Sequence, residues 1–246
     1  VSPDVRHELA TAPNGKLIDI HRPATDGGPL PTVLLWHGVS PDERTVMAPV
    51  ARAVAALGAL VLVPDWRSDA PDRGRAHLLD SLEYARTHAA ALGGDPDRFV
   101  LAGWSAGASA AMGVALRPEV AGGWRPTAVV GIASRYDLPA RTTGTPPLTD
   151  LAATAPGTPP PVPVALVHGS ADTLMSSACS RELRDALEAR RWPARLEQVD
   201  ADHAGAIMME YDAEEDRLRP SEDERVLAAG AVSTLAIAQA AGVTAV

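Results

Sequence analysis

The chain has 246 residues, enough for one well-buried domain and short for two. Hydrophobic residues make up 46% and charged residues 22%, a globular balance that excludes a disordered chain. A net charge of −9 without a basic stripe, and only 4% aromatic residues, argue against a nucleic-acid binder.

Along the chain, short apolar runs of strand type alternate with helical patterns. Thr32–Trp36 ends at His37-Gly38. Ser40 with Glu43 three residues on has the form of a capping box, and Pro41 suits a first helical position. Val46, Val50, Ala53, Val54 and Leu57 then keep one helix face. Ala59–Pro64 follows and ends at Asp65-Trp66. Leu78, Leu82, Ala85, Ala89 and Leu92 mark a second helix, before a turn at Gly93-Gly94-Asp95-Pro96-Asp97. Phe99–Gly103 runs into Trp104-Ser105 and the small-residue helix Ala106–Leu116. Ala128–Ala133, Pro163–Val167 and Arg195–Val199 complete the strand series, with a helix marked by Cys179, Leu183, Ala186 and Leu187 between the last two. Runs that are apolar at every position suit strands buried on both faces of a parallel sheet. The alternation therefore reads as a single α/β domain over 1–246, with a mostly parallel central sheet and helices on both faces.

The Pro139–Pro163 stretch breaks the rhythm with eight prolines and reads as a loop or minimal cap set between two strands. Glu210 to Arg225 holds eight acids against three arginines, and the 21 residues after it carry no charge. The acidic run reads as a solvated connector. The uncharged tail is too rich in Ala, Gly, Ser and Thr for a membrane span, and Ser221 with Glu224 forms a second capping box that makes it a last helix packed on the sheet. A single cysteine, Cys179, excludes an intrachain disulfide and a Cys-based zinc site; without an H-E-x-x-H pair or a dense histidine cluster, no metal or cofactor is expected. No basic region followed by an apolar one opens the chain, so a cytoplasmic protein is expected.

Gly103-Trp104-Ser105-Ala106-Gly107 is a G-x-S-x-G placed between a strand and a small-residue helix. That setting is what a nucleophile elbow requires: a sharp turn exposes the serine oxygen at a helix N-terminus, and flanking glycines admit close backbone approach. A serine hydroxyl needs a base, and the base needs an acid to orient it. In elbow hydrolases these follow in the order Ser, acid, His. Asp172 follows the strand Pro163–Val167 and His203 follows Arg195–Val199, just past strand C-terminal ends. Asp200 and Asp202 lie too near His203 in sequence for a strand-separated pair. Asp137, after the strand Ala128–Ala133, is the reserve acid. The backbone N–H groups of Ala106 and Val39 are the candidate donors for a developing oxyanion.

These residues carry a resemblance. Trp36–Gly38 (WHG), Pro64–Arg67 (PDWR), Leu92–Gly107 (LGGDPDRFVLAGWSAG), Ser134–Leu138 (SRYDL), His168–Asp172 (HGSAD) and Asp202-His203 resemble an α/β-hydrolase. Within that fold they resemble the carboxylesterase, acetyl-esterase and feruloyl-esterase-like group that includes kynurenine formamidases. The resemblance implies a cofactor-free serine hydrolase with Ser105, Asp172 and His203 as its triad. Two departures stand out. Many relatives carry HGGG where this chain has His37-Gly38-Val39-Ser40, and many carry an acid or a histidine where Trp104 stands.

Residues beside strand C-terminal ends are the pocket candidates: Trp36, Val39, Trp66, Arg67, Trp104, Arg135 and Tyr136. Arg67 or Arg135 either binds a polar group of the substrate or is an ion-paired surface residue. The expected function is hydrolysis of small carboxylic esters through an acyl-enzyme. An N-formyl amide hydrolase, a cyclase or acyl transferase on the same fold, and a non-catalytic binding protein are the alternatives. The expected partner is a small-molecule ester or amide.

Overall fold

Strands that are apolar at every position need cover on both faces, and the central strands here obtain it. The computed structural model describes residues 4–24, 28–155 and 157–243, and in them has ten strands and six α-helices. In chain order these are β1 (Val5–Thr11), β2 (Leu17–Pro23), β3 (Leu30–Trp36), α1 (Ala48–Ala56), β4 (Leu60–Pro64), α2 (Arg75–His88), β5 (Gly94–Trp104), α3 (Ala106–Leu116), β6 (Ala128–Ile132), α4 (Pro147–Ala153), β7 (Val164–Gly169), α5 (Ala178–Ala189), β8 (Ala194–Val199), β9 (Met209–Asp212), β10 (Arg217–Pro220) and α6 (Glu224–Ala240). Eight strands form one sheet in the order β1-β2-β4-β3-β5-β6-β7-β8. The β1–β2 and β2–β4 pairs are antiparallel and the others parallel.

Alternation along each strand divides the core between the two faces. Val33 and Leu35 of β3 meet Val50 and Val54 of α1 and Ile237 of α6. Leu34 and Trp36 point the other way, into the layer that holds Leu78 and Leu82 of α2, Met112 of α3 and Leu183 of α5. β3, β4, β6 and β7 are buried almost throughout, which explains their unbroken apolar reading. The chain thus has the expected α/β architecture. The C-terminal ends of the parallel strands gather the loops that carry Val39, Ser105, Asp172 and His203.

Several local expectations are corrected. Ser40 and Glu43 cap no helix: a 3-10 turn spans Arg44–Met47 and α1 begins only at Ala48. Asp65, at the end of β4, accepts the Arg44 N–H at 3.1 Å, so a tertiary contact does the work assigned to a local box. Asp223 rather than Ser221 caps α6, accepting from the Arg225 N–H at 2.8 Å. Ser221 is engaged elsewhere, donating to Glu210 at 2.5 Å. The acidic run is not a plain connector. It folds into the β9–β10 hairpin, in which Arg219 lies opposite Glu210 and pairs with it at 2.5 Å, and reaches Asp212 at 3.3 Å. β5 starts at Gly94, inside the expected turn, with a register irregularity opposite Pro31 and Thr32. The β1–β2 hairpin had no expectation at all.

The Pro-rich stretch contains α4 and is tied to the domain. Thr142 Oγ1 donates to the Ala110 carbonyl of α3 at 2.8 Å, and Arg117 pairs with Asp150 at 3.0 Å. Pro156 and the last three residues of the uncharged tail lie outside the described residues. No helix among the described residues is long and apolar enough to cross a membrane. Replacing the α6 cap, Asp223→Ala, should cost about 1 kcal/mol of unfolding free energy in urea titration; an unchanged midpoint would remove Asp223 from that role.

Candidate active site

The site is built around one turn. β5 ends at Trp104 and α3 begins at Ala106, leaving Ser105 at φ 55° and ψ −124°. A positive φ is rare for a residue with a side chain and must be held by its surroundings. Two hydrogen bonds hold it: the Ser105 N–H donates to the Ile132 carbonyl at 2.8 Å, and Ser134 Oγ donates to the Ser105 carbonyl at 2.7 Å. Gly107 lets α3 approach β3 closely, since a Cβ there would lie 2.4 Å from the Trp36 carbonyl oxygen and 2.5 Å from that of His37. Ser105 Oγ has no hydrogen-bond partner among the described residues. Bonds of this kind often form only once substrate is bound.

Trp104 joins this turn to the loop after β8. Its indole Nε1 donates to the His203 carbonyl at 3.0 Å, and its ring lies 4.9 Å from the imidazole, tilted by 40°. Trp104 is thus packed against the histidine. His203 Nδ1 donates to Asp172 Oδ2 at 2.7 Å, which leaves Nε2 as the basic nitrogen. The loops bearing the two residues are stitched by backbone: the Ser170 N–H donates to the Val199 carbonyl and the Ala171 N–H to that of Ala201.

The Asp172 side chain is fully buried and crowded with donors. Its Oδ1 accepts the backbone N–H groups of Leu174 and Met175 at 2.9 and 2.8 Å. His168 Nε2 lies 3.4 Å from Oδ2 and also donates to the Met175 carbonyl at 2.9 Å. Burial alone would raise the Asp172 carboxyl. The bonds from His168, His203 and the Met175 N–H outweigh it and hold Asp172 well below the usual carboxylate range. Asp172 therefore stays an anion beside His203.

The loop after β3 covers the turn. His37 is buried and neutral, its pKa lowered to about 3 by burial. Its Nε2 accepts the Trp66 N–H at 3.2 Å, so Nδ1 carries the proton and donates to the Gly38 carbonyl at 3.0 Å. In a trans peptide the carbonyl and the following N–H point oppositely, so fixing the Gly38 carbonyl also aims the Val39 N–H. Gly38 lies on the turn itself: a Cβ there would come within 2.8 Å of the Trp104 ring and 3.4 Å of Ser105 Cβ. Val39, Ser105 and Ala106 line one cleft of about 290 Å³. Ala106 heads α3, where the first N–H groups have no partner within the helix. His203 faces a second hollow of about 410 Å³, walled by Trp104, Leu174, Tyr211 and Leu218.

The other pocket candidates separate. Trp36 and Trp66 are wholly buried and belong to the core: Trp36 Nε1 donates to Ser81 Oγ at 3.0 Å, and Trp66 Nε1 to the His37 carbonyl at 3.2 Å. Tyr136 is also buried, its hydroxyl against Gly131. All three sit at strand ends, but their side chains turn inward under the loops. Arg67 pairs with Asp42 at 3.0 Å and Asp69 at 2.7 Å. Arg135 lines the serine cleft but is bound to Asp137 by two bonds of 2.9 and 2.6 Å. The reserve acid Asp137 is thus held by Arg135, while His203 takes Asp172. Sequence reasoning passed over Arg73 and Arg141, which share the serine cleft and which no motif marks, and gave Ser134 no role beyond its place in the SRYDL run. Away from the site, the β1–β2 register brings His7, Asp19 and His21 together, with potential ligand atoms within 4.8 Å of one another. Arg44 holds one Asp19 oxygen at 3.0 Å, and Arg52 adds positive charge near His21, a setting that opposes a cation.

Comparison with known proteins speaks to the fold. The profile of the alpha/beta hydrolase fold matches residues 37–196. Among curated proteins none matches. Among solved structures, esterase 2 of Thermogutta terrifontis phosphorylated by paraoxon superposes with a TM-score of 0.70 at 17% identity, over 95% of this chain and 92% of that one. A bacterial heroin esterase gives 0.69 at 17% identity, over 97% and 84%. A protein from Klebsiella pneumoniae assigned as a dienelactone hydrolase gives 0.69 at 20%, over 95% and 98%. At these identities the likeness is one of fold.

The buried neutral state of His37 makes a pH prediction. An unfolded histidine takes up a proton near pH 6.5, whereas folded His37 resists it down to about 3. Between those values the unfolded chain binds more protons, so stability falls as pH falls. His37→Asn should flatten the plot of unfolding free energy against pH by up to about 1.4 kcal/mol per unit below pH 6. A parallel plot would mean that His37 is protonated in the folded chain.

Proposed function

The chain belongs to the α/β-hydrolase fold family, and we propose that it hydrolyses small carboxylic esters through an acyl-enzyme formed on Ser105. The observation that carries this reading is the 2.7 Å bond from His203 Nδ1 to the buried Asp172, on a loop tied through Trp104 to the strained serine turn. That bond selects the tautomer whose Nε2 can take a proton.

In this reading His203 Nε2 removes the Ser105 proton as Oγ attacks the ester carbonyl. The tetrahedral oxyanion meets the N–H groups of Ala106 and Val39, one at the head of α3 and one aimed by His37 through the Gly38 carbonyl. Asp172 supports the imidazolium that results, and His203 then returns the proton to the leaving alcohol. Water, deprotonated by the same Nε2, frees the acid. The esterase 2 phosphorylated by paraoxon and the heroin esterase support the choice of an ester by analogy of fold. The cleft of about 290 Å³ supports a small acyl group.

Ser105→Ala should abolish turnover of p-nitrophenyl acetate while leaving the melting temperature near that of the parent; persisting turnover would place the nucleophile elsewhere. Val39→Pro removes one proposed oxyanion donor and should lower kcat by about 10²- to 10³-fold, more than it changes KM. An unaltered kcat would assign the second donor to another residue.

A further inference from the structure

Two arginines that no motif marks, Arg73 and Arg141, open onto the same cleft as Ser105. The other arginines considered at this end of the sheet are already neutralised, Arg67 by Asp42 and Asp69 and Arg135 by Asp137. Neither the Arg73 nor the Arg141 side chain has a hydrogen bond or an ion pair among the described residues. They instead oppose each other. Burial, and then the charge of Arg73, lower the Arg141 guanidinium, which still remains charged at any working pH. In a chain of net charge −9, two like charges are left uncompensated beside the serine.

Their backbones are held in place. Arg73 has φ 59°, a left-handed conformation that needs support. Asp72 supplies it by accepting the N–H groups of Gly74 at 3.0 Å and Ala76 at 2.7 Å, and Gly74 lies where a Cβ would meet the Trp66 ring at 2.5 Å. Arg141 is flanked by buried Ala140 and by Thr142, whose hydroxyl is anchored to α3. A hydrogen bond joins the two segments, from Arg75 Nε to the Thr142 carbonyl at 2.9 Å. The loop before α2 and the Pro-rich stretch are therefore fastened together with both free guanidiniums at the cleft. Like charges held this way cost stability, and a ligand anion relieves that cost with charge-assisted, forked hydrogen bonds.

We propose that Arg73 and Arg141 form an anion subsite and that the ester cleaved at Ser105 carries a carboxylate on its acyl arm. The inference rests on the ester reading of Ser105. The arm follows from the two hollows. His203 must reach the leaving oxygen, so the alcohol lies toward the apolar hollow of Trp104, Leu174 and Leu218, and the acyl chain occupies the arginine cleft.

The test compares half-esters of dicarboxylic acids with a neutral ester: monoethyl succinate, glutarate and adipate against ethyl valerate, followed by pH-stat. For the parent, kcat/KM on the best half-ester should exceed that on ethyl valerate. That ratio should fall about ten- to hundredfold in Arg73→Gln and in Arg141→Gln, the loss of one charge-assisted bond. Relief of like-charge repulsion should leave both variants at least as thermally stable as the parent, which separates lost recognition from lost fold. A second arm measures binding of monoethyl glutarate to Ser105→Ala by calorimetry, with and without each arginine change, and should show binding weakened to a similar degree. Cleavage of both ester types with a ratio that the variants leave unmoved overturns the subsite and spares the ester reading. No cleavage of any ester overturns the ester reading, and the calorimetric arm then judges the subsite alone: arginine-dependent binding upholds it, and binding that is absent or indifferent to the arginines overturns it.

Discussion

Gly107 stands where any side chain would collide with the carbonyl oxygens of Trp36 and His37, and that close approach of α3 to the end of β3 sets the rest of the site. It forces the chain to turn within one residue, which leaves Ser105 at a positive φ. It also brings the loop after β3 over the turn, so that Gly38 rests on Trp104 and Ser105. The position of the proposed nucleophile and that of the proposed oxyanion loop are therefore consequences of one packing constraint. The sheet supplies the rigidity: β3 and β5 lie side by side in parallel, buried on both faces, so their ends cannot drift apart.

Two buried histidines serve this arrangement without being candidates for proton transfer. His37, neutral and doubly bonded, transmits the position of Trp66 to the Gly38–Val39 peptide. His168 shares Asp172 with His203 and is itself fixed by Ser180 at 2.7 Å. Together with two backbone N–H groups it keeps the aspartate ionised in a place where burial would favour the neutral acid. A buried anion so supplied with donors is rigid as well as charged, and His203 inherits that rigidity.

Much of this was legible in the sequence because the physics was local. Unbroken apolar runs name doubly covered strands, and glycines around Ser105 announce close backbone contact. The order of Ser105, Asp172 and His203 matches the order in which the strand ends return to one edge of the sheet. What was not legible depends on partners distant in the chain. Asp65 replaces Ser40 and Glu43 at the 3-10 turn that leads into α1, and Asp223 replaces Ser221 at the last helix, because short-range patterns do not reveal which donor a neighbouring strand will satisfy. The acidic run pairs its charges across the β9–β10 hairpin, which no count of charges shows. Trp36, Trp66 and Tyr136 lie at strand ends as expected but point inward, since a residue's place along a strand does not say which side its ring takes. Arg73 and Arg141 come from two loops with no motif between them and meet only through the fold.

Of the net charge of −9 that argues against nucleic acid, −5 lies in the hairpin and the start of α6, while arginines line the cleft beside Ser105. The central claim, that Ser105 is a nucleophile activated by His203, is tested most directly by treating the protein with paraoxon and locating the adduct by intact-mass and peptide mass spectrometry. The account predicts one diethylphosphoryl group per chain, on Ser105, and a rate of modification that collapses in His203→Gln. An adduct on another residue, or modification of Ser105 at an unchanged rate without His203, would contradict it.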